Sequence, residues 1–167
     1  MKWLLPFIVI VSLLISCEDD SSVNGGTEGY ITQFVKDDLV LIGDTIYNIN
    51  SDTQLQTSDG ESLKKSDLKI GMKVQPFYKE TLEETFPAKG DAKLLRVLTD
   101  EESLKESVMM INVLHQLKHN EDEHFIITNV VHAEGVYEMD VMRRSNVDIG
   151  FTITVDDESY EILYMEA

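Results

Sequence analysis

Residues 29–49 read GYITQFVKDDLVLIGDTIYNI. Three apolar stretches, 30–35, 39–42 and 45–49, are rich in β-branched and aromatic residues and are separated by short polar breaks. Such breaks can join neighbouring antiparallel strands, whereas a parallel connection needs a much longer crossover. This stretch therefore predicts a meander of three antiparallel strands.

The same pattern continues downstream of the meander. Two further strands are predicted at 75–79 and 92–98, and a polar excursion at 80–90 separates them. Gly71 precedes the first of these strands, where a positive φ would redirect the chain. Residues 29–98 therefore predict one small antiparallel barrel.

A set of spaced residues runs through this unit: Gly29-x-Ile31, Thr53-x-Leu55, Leu68-x-x-Gly71-x-x-Val74 and Ala92-x-x-Leu95. Their order resembles a small β-barrel family of bacterial exported proteins, a domain of unknown function related in shape to the OB-fold. The excursion at 80–90 is longer than the turn that the family usually has there. The resemblance implies an OB-like barrel, and barrels of this shape often bind single-stranded nucleic acid or sugars through stacking aromatic residues.

Aromatic residues of the barrel offer a stacking platform, but their alternation favours core positions instead. They are Tyr30, Phe34, Tyr47, Phe77 and Tyr78. The whole chain carries 31 acidic and 14 basic side chains, for a formal net charge of −17. Since phosphate contacts supply most of the affinity for nucleic acid, this charge argues against nucleic acid as a partner.

Residues 99–167 predict a second unit, which starts with a helix. Residues 99–102 form a capping box, and apolar residues then recur at helical spacing over about 104–118. The predicted core-facing residues are Leu104, Val108, Ile111 and Leu114, widened by Met109, Met110, Val113 and Leu117.

Four strands are predicted after the helix, at 125–131, 136–142, 149–155 and 160–165. Consecutive strands with one covering helix form an α+β layer. The predicted fold class is therefore α+β: an N-terminal small antiparallel OB-like β-barrel, followed by a helix packed on a four-stranded antiparallel sheet.

Two segments of this second unit, 137–141 and 154–163, resemble PepSY-type domains. The turn glycine of that pattern is missing here. The resemblance implies an exported module that binds or inhibits a partner.

The chain begins with MKWLLPFIVIVSLLISC, in which Lys2 precedes an apolar run. The run is too short for a membrane-spanning helix and has the layout of a secretory signal over residues 1–16. Its end, Leu14-Ile15-Ser16-Cys17, resembles the bacterial lipobox, which implies cleavage before Cys17 and acylation of its sulfur with palmitate-type chains. The alternative is a free thiol. Cys17 is the only cysteine, so no disulfide can form within the chain.

Residues 17–28 are polar and acidic after the cysteine, which predicts a flexible tether. Acidic residues directly after the lipidated cysteine also resemble the surface-export signal of bacterial lipoproteins. The predicted location is therefore a bacterial membrane, favouring the outer one, with the protein facing the periplasm or the cell surface. The membrane itself is a partner through Cys17.

All four histidines lie within residues 115–132. His115 and His119 are spaced i, i+4 on the predicted helix and His124 follows, a pattern that can hold Zn²⁺ or Cu²⁺. The alternative is a helix end at which histidine and lysine complement the dipole. Position 116 is Gln, so the His-Glu-x-x-His motif of metalloproteases is missing.

No nucleophile motif or phosphate-binding glycine loop occurs in the sequence. The chain is therefore predicted to be a non-catalytic envelope lipoprotein that needs no cofactor. Its expected partner is an envelope protein, a glycan or a small ligand. The alternative function is a metal-binding envelope protein that uses His115, His119 and His124.

Overall fold

The computed structural model describes residues 23–79, 81–118 and 122–167. The predicted signal segment, Cys17 with residues 18–22 of the predicted tether, and His119 lie outside the described residues. The strands are β1 (Asn24–Gly25), β2 (Gly29–Lys36), β3 (Leu39–Ile42), β4 (Thr45–Asn48), β5 (Gln54–Thr57), β6 (Lys73–Tyr78), β7 (Ala88–Val97), β8 (Phe125–Ala133), β9 (Val136–Arg143), β10 (Asn146–Asp156) and β11 (Ile162–Glu166). One α-helix, α1 (Glu101–Leu117), stands between β7 and β8.

Five of the N-terminal strands close into a barrel in the order β2-β3-β4-β7-β6 and back to β2. All neighbours in this ring are antiparallel except β4 and β7, which are parallel. The predicted meander is confirmed as β2, β3 and β4. The closed five-stranded ring confirms an OB-like barrel. Its interior is filled by buried apolar side chains that include Ile31, Val40, Val74, Ala92 and Leu95.

β7 begins at Ala88, earlier than the predicted start at residue 92. Its first four residues, AKGD, contain glycine and aspartate, which are depleted in strands. They are extended because Thr45 to Asn48 of β4 pair with them in parallel register. A local pattern cannot show this long-range pairing.

β8 to β11 form the predicted four-stranded antiparallel sheet, in the order β11-β10-β9-β8. α1 covers one face of the sheet, so the α+β fold class is confirmed. The shared core of helix and sheet includes Met110, Val113, Phe125, Met139 and Ile153.

The predicted core-facing stripe of α1 is wrong for three residues. Leu104, Val108 and Ile111 are 52%, 51% and 38% exposed. The buried residues of the helix are instead Ser103, Glu106, Met109, Met110, Val113, Leu114 and Leu117. The buried face of the helix is therefore turned relative to the predicted one. The reason is that the barrel also packs against the helix and supplies polar partners for the buried Glu106.

The start of α1 also differs from the prediction. Asp100 is the N-cap residue, and its side chain accepts a hydrogen bond from the backbone N–H of Ser103. Asp100 also accepts a bond from the Ser103 hydroxyl. These two bonds fix the cap one residue after Thr99, and they lower the pKa of Asp100.

Gly71 has the predicted positive φ, at +91°. A Cβ atom at this position would lie 2.4 Å from Cγ1 of Ile111 and 3.0 Å from the backbone oxygen of Ser107. Glycine is therefore required here both for the backbone conformation and for the close approach of the barrel to α1.

The two units share a buried seam. Tyr30 of β2 packs within the core of the helix and sheet, and Ile126 of β8 packs against Leu41 and Ile46 of the barrel. β8 thus pairs with β9 at one edge and packs on the barrel at the other. Over the described ranges, no helix is both long enough and apolar enough to cross a membrane.

Candidate functional site

A groove of about 800 Å³ lies on the barrel surface. We call it the barrel groove and define it by the β2–β3 turn with its flanks (35–39), Ile46, Asn48, Thr81, Glu83, residues 89–91 and Arg144. In an OB-fold barrel, the first turn and the loop between the last two strands flank the face that binds ligands. The turn at 37–38 and the segment that connects β6 to β7 occupy these two positions here.

The floor of the barrel groove carries a pair of planar polar side chains. Asn48 ends β4 and lies opposite Asp91 in the parallel register with β7. Nδ2 of Asn48 donates a hydrogen bond to Oδ1 of Asp91 at 2.8 Å. The pair leaves the Asn48 amide oxygen and the second Asp91 oxygen for other partners.

Charged side chains form the rim of the groove. Asp38 pairs with Lys65, and Glu83 pairs with Lys89 at 4.0 Å. Lys36 lines the groove from the end of β2 and forms no ion pair with any residue that the structure describes.

Arg144 reaches the groove from the second unit. It lies in the turn between β9 and β10, where its backbone N–H donates to the carbonyl of His124 at 2.9 Å. Its Nη1 donates to Oε1 of Gln33 at 2.5 Å, and Gln33 is only 7% exposed. The barrel groove is therefore built from both units of the chain.

A second cavity, of about 460 Å³, lies in the seam between the barrel, α1 and β8. We call it the seam cavity. Its wall contains a buried ionic network centred on Glu106: the Tyr30 hydroxyl donates to Oε2 at 2.7 Å, and Nζ of Lys73 lies 2.5 Å from the same oxygen. Glu106 is on α1, whereas Tyr30 and Lys73 are on the barrel, so this network joins the two units.

Two tyrosines of the seam cavity have pKa values raised above the usual value of tyrosine. Burial, followed by the hydrogen bond to Glu106, raises the pKa of Tyr30 well above its usual range. Burial raises the pKa of Tyr47 to about 12. Both hydroxyls stay protonated at neutral pH, so they serve as hydrogen-bonding and packing groups.

The predicted aromatic platform does not line the barrel groove. Tyr30 and Tyr47 are buried in the two cores, and Tyr78 packs at the edge of the barrel core. Phe77 lies under the guanidinium of Arg96 at 4.8 Å, and Phe34 is partly exposed. The groove is therefore lined by charged and polar side chains together with the apolar Val35, Leu39 and Ile46, and no aromatic residue is among its described lining.

The histidines are placed separately. His115 is exposed on α1, and His119 lies outside the described residues. His124 is half-buried; burial, then Lys118 and Arg144, lowers its pKa, and its Nδ1 has no partner within the described ranges. Between residues 23 and 167, leaving out 80 and 119–121, no three His, Cys, Asp or Glu side chains are close enough to hold a metal ion.

His132 takes part in a different contact. Its ring stacks on Tyr137 with centroids 4.3 Å apart, and its Nε2 lies 2.9 Å from Oδ2 of Asp157.

Sequence patterns did not indicate Arg144, Asn48 or Asp91 as groove residues, or Glu106 as the centre of the seam. Their partners are distant in the chain, so no local pattern pointed to them. No family model, curated protein or solved structure matches this chain.

Proposed function

We propose that this protein is a lipid-anchored, non-catalytic lipoprotein of the bacterial cell envelope that binds a glycan in the barrel groove. The observation that carries the proposal is the position of this groove on an OB-like barrel, between the two connections that flank the ligand face in that fold. The volume of about 800 Å³ suits a short oligosaccharide.

The chemistry of the groove supports a sugar as the ligand and argues against single-stranded nucleic acid, the other ligand class that barrels of this shape bind. Sugar hydroxyls both donate and accept hydrogen bonds, and the Asn48–Asp91 pair offers planar amide and carboxylate groups to them. Nucleic acid would bring many phosphates towards a chain with a formal net charge of −17. A glycan brings few charges or none.

The carboxylates of the groove support binding more than catalysis. Asp38 and Glu83 are engaged with lysines, and Asp91 accepts the bond from Asn48. Carboxylates held in this way are suited to positioning ligand hydroxyls. We therefore assign the groove no reaction.

We expect a selective loss of glycan binding when the Asn48–Asp91 pair of the groove is removed. In Asn48→Ala combined with Asp91→Ala, affinity for a short envelope-type oligosaccharide should fall about tenfold or more, because two ligand-facing hydrogen-bonding groups are lost. Titration of the full chain in detergent, with oligosaccharides screened from neutral and acidic polysaccharides, measures the change by calorimetry.

Gln54→Ala is the matched control, since Gln54 is exposed on β5 and lies outside the groove. It should bind like the parent chain. Equal affinity of the double variant and the control, or no binding to any oligosaccharide of the panel, would refute glycan binding in this groove.

The lipid anchor is proposed from the sequence Leu14-Ile15-Ser16-Cys17, which resembles a lipobox. Two or three acyl chains on Cys17 give stable membrane attachment, whereas one chain gives only marginal binding. The acidic tether then spaces the barrel from the bilayer surface.

Cys17→Ser is expected to abolish incorporation of an alkyne-palmitate label and to release the protein from the membrane fraction. The reason is that this residue is the only thiol in the chain. Labelling followed by fractionation of expressing cells measures both effects, and Ser16→Ala should keep both. Membrane retention of an unlabelled parent chain would contradict lipidation.

A further inference from the structure

The barrel groove contains charged side chains of both signs, and only some of them are neutralised by a described partner. Of its four carboxylates, Asp38 and Glu83 pair with lysines. Asp91 accepts a bond from the neutral Asn48, and Asp37 forms no ion pair with any described residue. Two cations of the groove, Lys36 and Arg144, form no ion pair with any described residue.

The guanidinium of Arg144 is anchored without being neutralised. Its Nη1 donates to the amide oxygen of Gln33, a neutral and buried side chain, at 2.5 Å. A carboxylate in the place of Gln33 would have cancelled the charge. The neutral amide fixes the side chain and leaves the positive charge, and the remaining N–H donors, for another partner.

The neighbouring Arg143 shows the contrast. Its Nε donates to Oε1 of Glu123 at 2.7 Å, and it lies 6.0 Å above the ring of Phe151, away from the groove. Two adjacent arginines of one turn thus differ: one is neutralised by a carboxylate, and the other is held by an amide at the edge of a groove.

We propose that the glycan of the barrel groove is acidic, and that Arg144 binds its carboxylate, with Lys36 adding positive charge from the end of β2. This inference rests on the proposed function. An arginine can bind a carboxylate through two parallel N–H donors, which fixes its orientation as well as its charge. A singly charged uronic acid suits this site better than a phosphorylated sugar, because Asp37 and Asp91, which no described cation neutralises, would repel a second negative charge.

The test compares short oligosaccharides that carry a single galacturonic, glucuronic or mannuronic acid residue with the methyl esters of the same compounds, which keep the sugar shape and lose the charge. The parent chain should bind at least one acid about tenfold more tightly than its ester. Arg144→Gln should lower the affinity for the acid by about tenfold or more and change that for the ester less than about twofold. Arg144→Lys should restore only part of the loss, since lysine lacks the planar fork.

Arg143→Gln is the matched control and should keep the parent preference, because Arg143 already has a carboxylate partner outside the groove. Thermal unfolding of each variant shows whether the fold is kept. If esters and acids bind equally, or if Arg144→Gln weakens both alike, the role of Arg144 is refuted while glycan binding stands. If neither acids, esters nor neutral oligosaccharides bind, the proposed function itself fails.

Discussion

Glu106→Ala is expected to lower the free energy of unfolding by about 3 kcal/mol, the scale of loss when one partner of a buried ion pair is removed. Glu106 is 6% exposed, and its Oε2 is the acceptor for both the Tyr30 hydroxyl and the Lys73 ammonium. The substitution leaves both barrel groups without this acceptor in a buried seam. Urea unfolding of the full chain at neutral pH measures the difference.

Two control variants separate the network from general effects on the helix. Glu106→Gln keeps the volume and an acceptor for Tyr30, so its loss should be clearly smaller than that of Glu106→Ala. Glu102→Ala removes an exposed carboxylate from the first turn of the same helix, and we expect a change of about 0.5 kcal/mol or less. Equal losses for Glu106→Ala and Glu102→Ala would contradict a stabilising role of the network.

A rise to alkaline pH is expected to lower the free energy of unfolding of the parent chain more than that of the Tyr47→Phe variant. The pKa of Tyr47 is raised to about 12 by burial, whereas that of an unfolded chain is about 10. Because the pKa is higher in the folded state, protonated Tyr47 makes its full contribution to the free energy of unfolding below about pH 10. This contribution is lost as the pH rises towards 12. At about pH 11 the loss from this one group amounts to about 1.4 kcal/mol.

The measurement is the change in unfolding free energy between about pH 8 and about pH 11, compared among variants. Tyr47→Phe should lose less stability over this range than the parent chain, by the amount given above. Tyr164→Phe, at a side chain that is 68% exposed, should behave like the parent. Identical pH dependence of all three proteins would show that Tyr47 does not titrate in the way its burial requires.

Most of the fold could be predicted from local patterns. The meander of β2 to β4 alternates β-branched and aromatic residues between short polar breaks, and the strands of the second sheet show the same signal. The positive φ of Gly71 was also predictable. These features depend on residues that are neighbours in the chain, so the sequence carries them directly.

The orientation of α1 could not be predicted, for a physical reason. Leu104, Val108 and Ile111 are as apolar as the residues that are buried, and periodicity alone cannot rank two overlapping apolar faces. The decisive contacts are made by the charged Glu106 with Tyr30 and Lys73 of the barrel. A buried carboxylate is rare unless paired, and its partners lie in another unit.

The barrel groove could not be predicted from the sequence either, because its residues are brought together by contacts between distant parts of the chain. Asn48 and Asp91 meet only because β4 and β7 are parallel neighbours, and Arg144 meets Gln33 only across the seam. The sequence showed four clustered histidines instead, and the structure places His115 and His132 on different elements. Clustering along the chain was a poor guide to proximity in space.

The hydrogen-bonded pairs of the groove and the seam join residues that are far apart in the chain, and these separations bear on the order in which the contacts form during folding. Asn48 and Asp91 are 43 residues apart, Tyr30 and Glu106 are 76 apart, and Gln33 and Arg144 are 111 apart. Contacts between distant residues form late, because a longer loop must close first. We therefore expect the hairpins of the second sheet to form before the barrel closes, and the seam to follow. In this order Arg144 reaches the groove at the last step, so a chain that has built all its strands without docking its two units would lack the contact that we propose for an acidic ligand.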